Sequence, residues 1–259
     1  GRDHAPLIVP ALTLLIALLT AALPAAAAAA SAPKPFVVCD RYGGQAGPDI
    51  AGSMVVWTDN RRGNLDIFGR DLVARKDYAI CTDKAQQVTG PGRIGYVAVW
   101  VDRRNHPGGL ATDIYGRDIT AGREFVVSRS ATVKWYPEIL DDWVVWTEAD
   151  DPAGPYRIKA RDLRTKKTRL VGSGKVLSPV AIDSRRVGAR TVYTVVYTSG
   201  KGDISACDLP DGKPFVVSRR ATFEWMPDIS RNRVVWWESG GRIMLRDLRT
   251  GRRMLVGKG

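Results

Sequence analysis

The sequence predicts an all-β fold, a β-propeller of five four-stranded blades, from three observations. An aromatic anchor and an Asp-Leu type anchor each recur five times along the 259 residues. Each repeat holds four short β-runs separated by turn signals. Helical periodicity is nearly absent after residue 33.

The repeats justify the elements in order. The opening run reads Pro48-Asp49-Ile50, Pro137-Glu138-Ile139 and Pro227-Asp228-Ile229, and the second and fourth copies depart from it. The second run ends in Trp57-Thr58-Asp59, Trp100-Val101-Asp102, Trp146-Thr147-Glu148, Tyr197-Thr198-Ser199 and Trp236-Trp237-Glu238. The third ends in Arg70-Asp71-Leu72, Arg117-Asp118-Ile119, Arg161-Asp162-Leu163, Cys207-Asp208-Leu209 and Arg246-Asp247-Leu248. Closing runs fall at 78–81, 125–127, 170–171, 215–217 and 254–256. In the last repeat the expected strands are 228–230, 234–238, 242–248 and 254–256. The anchor aspartates lie 39–47 residues apart, the period of a propeller blade.

Burial gives the reason for the architecture. The Val-Val-Trp run is apolar on both faces, as a strand between two neighbouring sheets must be. In the third strand Ile67, Gly69 and Asp71 share one face, and Phe68, Arg70 and Leu72 the other. One meander covers neither face alone, so sheets fanned about an axis bury both and leave only short edges. An extra closing-type run at 36–38 precedes the first repeat. It latches the ring beside the last blade, or the ring stays open, or another copy completes it; six blades is the alternative count.

Residues 1–32 read as a signal peptide or an N-terminal membrane anchor. The segment from Ala5 to Ala30 is apolar, broken by Pro10 and Pro24, and ends in Ala-Ser-Ala. Residues 33–259 then form one exported domain, periplasmic, cell-surface or secreted. Three cysteines, Cys39, Cys81 and Cys207, leave at least one unpaired within the chain. Cys39 and Cys81 follow equivalent runs of adjacent blades, which disfavours a bond between them on distance. Cys207 replaces the arginine of the third-strand anchor and reads as a buried thiol. The sequence offers no zinc-type Cys/His spacing and implies no metal or cofactor.

The formal charge is +12 and the pI about 9.9. Basic pairs recur at hairpins (Arg61-Arg62, Arg103-Arg104, Arg185-Arg186, Arg252-Arg253) and are spread around the ring. That suits an arginine-rich soluble surface or one that docks on an anionic envelope polymer, and no nucleic-acid partner is expected.

No catalytic residue is assigned. The mature chain has one histidine, His106, in a loop, and no nucleophile–base arrangement can be built on it. The first strand of each blade lines the axis, so Asp49, Glu138 and Asp228 converge there in this reading. Trp135 and Trp225 precede the repeat proline and are candidates for the channel mouth. Three carboxylates around an axis can bind a cation, a sugar or a basic peptide. The structural alternative has each acid capping a turn or pairing with arginine, and each ring packing between blades. The second-strand acids Asp59, Asp102, Glu148 and Glu238, and the third-strand Asp71, Asp118, Asp162, Asp208 and Asp247, recur with the fold and read as serving it. The repeats differ most at 105–112, 149–155 and 183–191.

The pattern Pro-Asp-Ile, Val-Val-Trp-x-Asp-x-Arg, Gly-Asn-x-Asp-Ile-Phe/Tyr and Asp-Leu-x-Thr-Gly resembles the TolB-like β-propeller repeats. It is clearest at 48–72, 96–119 and 227–251 and covers about residues 36–256. The resemblance implies an exported fold that binds envelope proteins and carries no catalytic residue, and the leading reading is a non-enzymatic binding or scaffold module for an envelope protein or glycan. The alternative is a five-bladed glycoside hydrolase or lyase that uses the channel carboxylates.

Overall fold

The computed structural model describes residues 34–87, 92–220 and 222–258, the side chains of 92–94 excepted. The expected leader at 1–32 lies outside them. Among the described residues there are twenty strands in five antiparallel four-stranded sheets. Sheet I is β1 (Gln45–Ala51), β2 (Met54–Asp59), β3 (Asp66–Asp71) and β4 (Lys76–Cys81). Sheet II is β5 (Gly92–Ile94), β6 (Val97–Asp102), β7 (Asp113–Asp118) and β8 (Arg123–Ser128). Sheet III is β9 (Val133–Leu140), β10 (Trp143–Ala149), β11 (Tyr156–Asp162) and β12 (Thr168–Gly174). Sheet IV is β13 (Ala181–Val187), β14 (Arg190–Thr198), β15 (Ile204–Leu209) and β16 (Phe215–Ser218). Sheet V is β17 (Glu224–Ser230), β18 (Arg233–Glu238), β19 (Arg242–Asp247) and β20 (Arg253–Lys258). Each sheet is a meander whose spatial order follows the sequence.

The first strands β1, β5, β9, β13 and β17 each lie against the next and form the inner wall. Every sheet has a front face toward the preceding sheet and a back face toward the following one. The back face of I meets the front face of II through Met54, Val56, Ile67 and Ile80 against Ala98, Trp100 and Tyr115. II meets III through Val99, Ile114 and Val127 against Ile139, Val144 and Trp146. III meets IV through Val145, Ile158 and Ala160 against Val195, Tyr197 and Cys207. IV meets V through Val196, Ile204 and Val217 against Ile229, Val234 and Trp236. The aromatic anchor of the second strand is thus a front-face residue pressed onto the sheet before it. Burial of this kind is the main stabilising term.

The two ends differ from the middle. On the front face of sheet I, Val55, Trp57 and Phe68 pack against Val38, Cys39 and Leu72, and Ile50 is 57% exposed. On the back face of sheet V, Ile243 and Met254 are each 41% exposed.

Several sequence expectations need correction. The run 36–38 is not a strand: residues 34–40 form no regular structure, and Phe36 and Val37 are exposed. A closing strand needs a third strand beside it, and none of the twenty is there. In the last repeat β17 begins at Glu224 and not at 228, because it continues through a bulge. The fourth strand spans Arg253–Lys258. The stretch 183–191 is the tip of a long, regular β13–β14 hairpin, turned at Gly188.

Candidate binding site on the inner strands

The site is set by a bulge. In sheets I, III and V the first strand shifts register just before the repeat acid. The residue ahead of the proline adopts the left-handed conformation in each: Gly47 (φ 56°), Tyr136 (φ 51°) and Met226 (φ 53°). Only glycine does so without cost; Tyr136 and Met226 hold strain of roughly 1 kcal/mol each. A bulge re-aims the side chain that follows it. Here that side chain is Asp49, Glu138 or Asp228.

Register shows that the three acids hold one equivalent position. Asp49 lies opposite Val56, Glu138 opposite Val145, and Asp228 opposite Val235. The corresponding residues of sheets II and IV are Gly92, opposite Val99, and Ala181, opposite Val196. Acid therefore alternates with a residue that has little or no side chain. The sequence reading missed Gly92 and Ala181. The signal was the proline of each repeat, Pro91 before Gly92 and Pro179 two before Ala181, the latter out of step by one residue.

Asp49 and Asp228 both act on Glu138. Burial, with the nearby Asp49 and Asp228 carboxylates, pushes the Glu138 carboxyl up to about 8. Such a group is largely protonated at neutral pH. Asp228 is exposed and takes the backbone N–H of Ile229 on Oδ1 at 2.8 Å. Asp49 takes that of Ile50 in the same way, at 2.8 Å. Among the described residues no group of three His, Cys, Asp or Glu side chains is placed to chelate a metal.

Trp135 and Trp225 pack against their own sheets. Trp135 meets the edge of Tyr156, with ring centres 5.8 Å apart at 71°. Trp225 packs on Trp237 with ring centres 3.9 Å apart and planes tilted by 36°, and it contacts Phe223 at 5.0 Å. Both tryptophans stay half-exposed, three residues upstream of Glu138 and Asp228 on the same strands. The Phe223–Trp225–Trp237 cluster was not foreseen, because Trp237 reads as part of the anchor.

The other recurring acids serve the fold, as expected. The indole N–H of Trp57 donates to Asp59 at 3.0 Å, that of Trp100 to Asp102 at 2.9 Å and that of Trp146 to Glu148 at 2.9 Å. An arginine completes each group. Arg61 and Arg104 bind Asp59 and Asp102 and lie 4.2 Å over Phe68 and Tyr115. Burial alone would raise Asp59, but Arg61, Trp57 and a backbone N–H outweigh it and hold the carboxyl at about 2. Asp71, Asp162 and Asp247 accept two turn N–H groups each. Arg61, Arg104 and Arg157 are thus engaged by acids of their own blades. A surface hollow of about 580 Å³ is lined by Arg123, Phe125, Val126, Arg161, Leu163 and Lys166, away from the three acids.

His106 pairs with buried Asp113 at 3.1 Å, and Asn105 and Arg129 share that carboxylate. Cys39, Cys81 and Cys207 are all free thiols, and Cys207 is fully buried.

This geometry, meanders fanned with their first strands innermost, is found in solved structures of distant sequence. TolB from Acinetobacter baumannii is 13% identical with a TM-score of 0.53, over 75% of this chain and 49% of that one. The fold is that of the TolB-like propeller. An oligogalacturonate lyase from Vibrio parahaemolyticus is 10% identical (TM-score 0.56; 80% of this chain, 62% of that one). A puromycin-hydrolyzing peptidase of Mycobacterium tuberculosis is 16% identical (TM-score 0.57; 83% and 37%). The chain spans about half the length of TolB. No family model and no curated protein sequence matches this propeller.

Proposed function

We propose that the chain is a non-enzymatic binding module of the cell envelope, taking a protein or glycan ligand at the inner strands. The observation that carries this reading is the shared register position of Asp49, Glu138 and Asp228, with Gly92 and Ala181 between them. A ligand that presents amino or hydroxyl donors would meet carboxyl oxygens on three sides and little side-chain bulk on the others. The half-exposed Trp135 and Trp225 add flat apolar rings beside that position, surfaces on which a cation or a sugar face packs. The apolar run before residue 33 supports export, and TolB among the structural neighbours supports an envelope setting. Five blades in an unclosed arc is the count and closure favoured by exposed Ile50 at the front of I and by Ile243 and Met254 at the back of V.

The test is binding of the mature domain to arrays of glycans and basic peptides, with a Asp49→Asn, Glu138→Gln, Asp228→Asn triple variant beside it. The reading expects hits that weaken at least about tenfold in the variant, the loss of one to two charge-assisted hydrogen bonds. Equal binding by both proteins would remove the site.

One observation favours a second reading. A carboxyl raised to about 8 suits a general acid. A glycan hydrolase or lyase would release product from oligosaccharides, and Glu138→Gln would abolish that release while keeping binding.

A further inference from the structure

In sheets II and V the third-strand arginine ties its sheet to the one before. Arg117 donates to the carbonyl of Ile80 at 2.9 Å, and Arg246 to that of Val217 at 2.5 Å. Ile80 and Val217 are the residues passed over where β4 and β16 shift register. Arg161 holds the same register position in sheet III, and Val127 is the corresponding bulge residue of β8. Arg161 turns back instead and donates to Thr168 Oγ1 of its own sheet at 3.1 Å. The fourth-strand neighbour accounts for the difference. Thr168, opposite Arg161, offers a hydroxyl oxygen. Arg253, opposite Arg246, offers only donors, and Glu124, opposite Arg117, is taken by Arg104 at 2.6 Å.

Between sheets II and III lies the hollow of about 580 Å³, within the range of about 300–1,000 Å³ that holds small molecules. Its apolar floor is Phe125 and Leu163, half-buried and packed on the II–III core. Its charged wall is half-buried Arg161 with exposed Arg123 and Lys166. The neighbouring acids are engaged in their own turns. Asp118 takes the N–H of Ala121 at 2.8 Å. Asp162 takes those of Arg164 and Thr165, with the Arg164 guanidinium 4.0 Å away. Three cations therefore line the hollow, and no carboxylate does. Lys166 carries a second sign. It stands at φ 59°, four residues after the anchor aspartate, where sheets II and V have Gly122 (φ 69°) and Gly251 (φ 73°) and sheet I has Arg75 (φ 53°). The lysine side chain is kept there against the backbone preference.

We propose that this hollow binds an organic phosphate, a phosphate monoester carried on a ring or a short apolar chain. The Arg161 fork suits two phosphate oxygens, and Arg123 and Lys166 supply the further charge that a near-dianionic group balances. A carboxylate brings a single charge to three cations, and inorganic phosphate leaves Phe125 and Leu163 bare. The ring or chain lies on those two side chains and removes apolar surface from water. A bound phosphate links β8 to β11 at the junction where Arg161 does not. The site is separate from the inner-strand acids, since none of its lining residues belongs to a first strand.

The test is calorimetric titration of the full chain with phenyl phosphate, beside inorganic phosphate, benzoate and phenol. Phenyl phosphate should bind at one site per chain and at least about fivefold more tightly than each of the others. Arg161→Gln should weaken it at least about tenfold, the scale of one charge-assisted hydrogen bond. Lys166→Gly should weaken it about threefold, as loss of one exposed charge does. Its melting temperature should hold or rise, because glycine suits the positive φ; this variant keeps the test open if Arg161→Gln fails to fold. The triple variant of Asp49, Glu138 and Asp228 should bind phenyl phosphate as the native chain does, which separates this site from the inner-strand one. Equal binding of benzoate or of inorganic phosphate would overturn the proposal. So would phenyl phosphate affinity that Arg161→Gln and Lys166→Gly both leave intact. Binding to phosphatidate–phosphatidylcholine vesicles without binding to phenyl phosphate would overturn it too, and would assign the hollow to a lipid surface.

Discussion

Sheets III and V carry the same repeat and meet different fates. Glu138 and Asp228 follow the same left-handed residue and proline, and both lie opposite a valine of the second strand. Glu138 is half-buried, with its carboxyl raised to about 8; Asp228 is exposed. Ile158 of III is 2% exposed, and Ile243, at the equivalent place in V, is 41% exposed. The motif sets where a side chain points. Whether a sheet follows decides what that direction costs or contributes. A repeat protein can therefore hold structural and exposed versions of one residue within one chain.

The largest expected break in this comparison is at the aromatic anchors. Trp146→Ala removes a ring that is 1% exposed and takes the indole donor from Glu148. It should cost about 3–5 kcal/mol. Trp237→Ala, on the half-open back face of V, should cost less than half as much. Urea denaturation of both variants measures the difference, and equal losses would mean that the back face of V is as well covered as the core.

Front-face isoleucines sharpen the point. Ile139→Ala, at a position 4% exposed, should cost about 2–4 kcal/mol, and Ile50→Ala, 57% exposed, about 0.5 kcal/mol or less. The same two melts would reveal a closed ring if Ile50→Ala proved as damaging as Ile139→Ala.

The inner acids give a pH test. The folded carboxyl of Glu138 lies at about 8, above its ordinary 4.5. The native state then holds a proton that the unfolded chain releases, so stability is full below about pH 4.5 and declines as pH rises toward 8. The decline should be on the order of 2 kcal/mol after allowance for solvent at the inner wall. Glu138→Gln should flatten that slope, and Asp228→Asn, which removes one of the two charges that add to the effect of burial, should lessen it only in part. A wild-type melting temperature that rises from pH 5 to pH 8 would contradict the raised carboxyl of Glu138.

The sequence made some of this legible and hid the rest for physical reasons. Five meanders and their order follow from Trp57, Trp100, Trp146, Tyr197 and Trp236, because each sheet must offer the same front face to its predecessor. Asp49, Glu138 and Asp228 were visible through the proline before them. Gly92 and Ala181 were not, since a bulge changes the residue count between proline and pleat. The true start of β17 was hidden in the same way. Exposure at the ends was illegible because Ile50 and Ile139 have nearly the same local sequence; only a neighbour far along the chain separates them. The run at 36–38 has strand composition, and it forms no strand because composition does not supply a partner.

The smallest expected effect compares Asp66 of sheet I with Asp113 of sheet II. They are register equivalents, opposite Asp59 and Asp102, and are 1% and 0% exposed. Asp113 is held by His106, Asn105 and Arg129. Neither side-chain oxygen of Asp66 reaches a hydrogen-bond donor, and Arg62 stands 4.0 Å away. Burial raises the Asp66 carboxyl, Arg62 and the nearby Asn64 side chain relieve it in part, and Asp59 and Asp83 add to it. A neutral amide there removes an under-paired buried charge and offers donors to the neighbouring carboxylates. Asp66→Asn should therefore stabilise the chain at neutral pH by about 1 kcal/mol, whereas Asp113→Asn should destabilise it by a similar amount. If Asp66→Asn also destabilises, the terminal sheet supplies its carboxylate with a partner as good as the one in the middle of the arc, and the contrast between end and middle ends at the surface apolar residues.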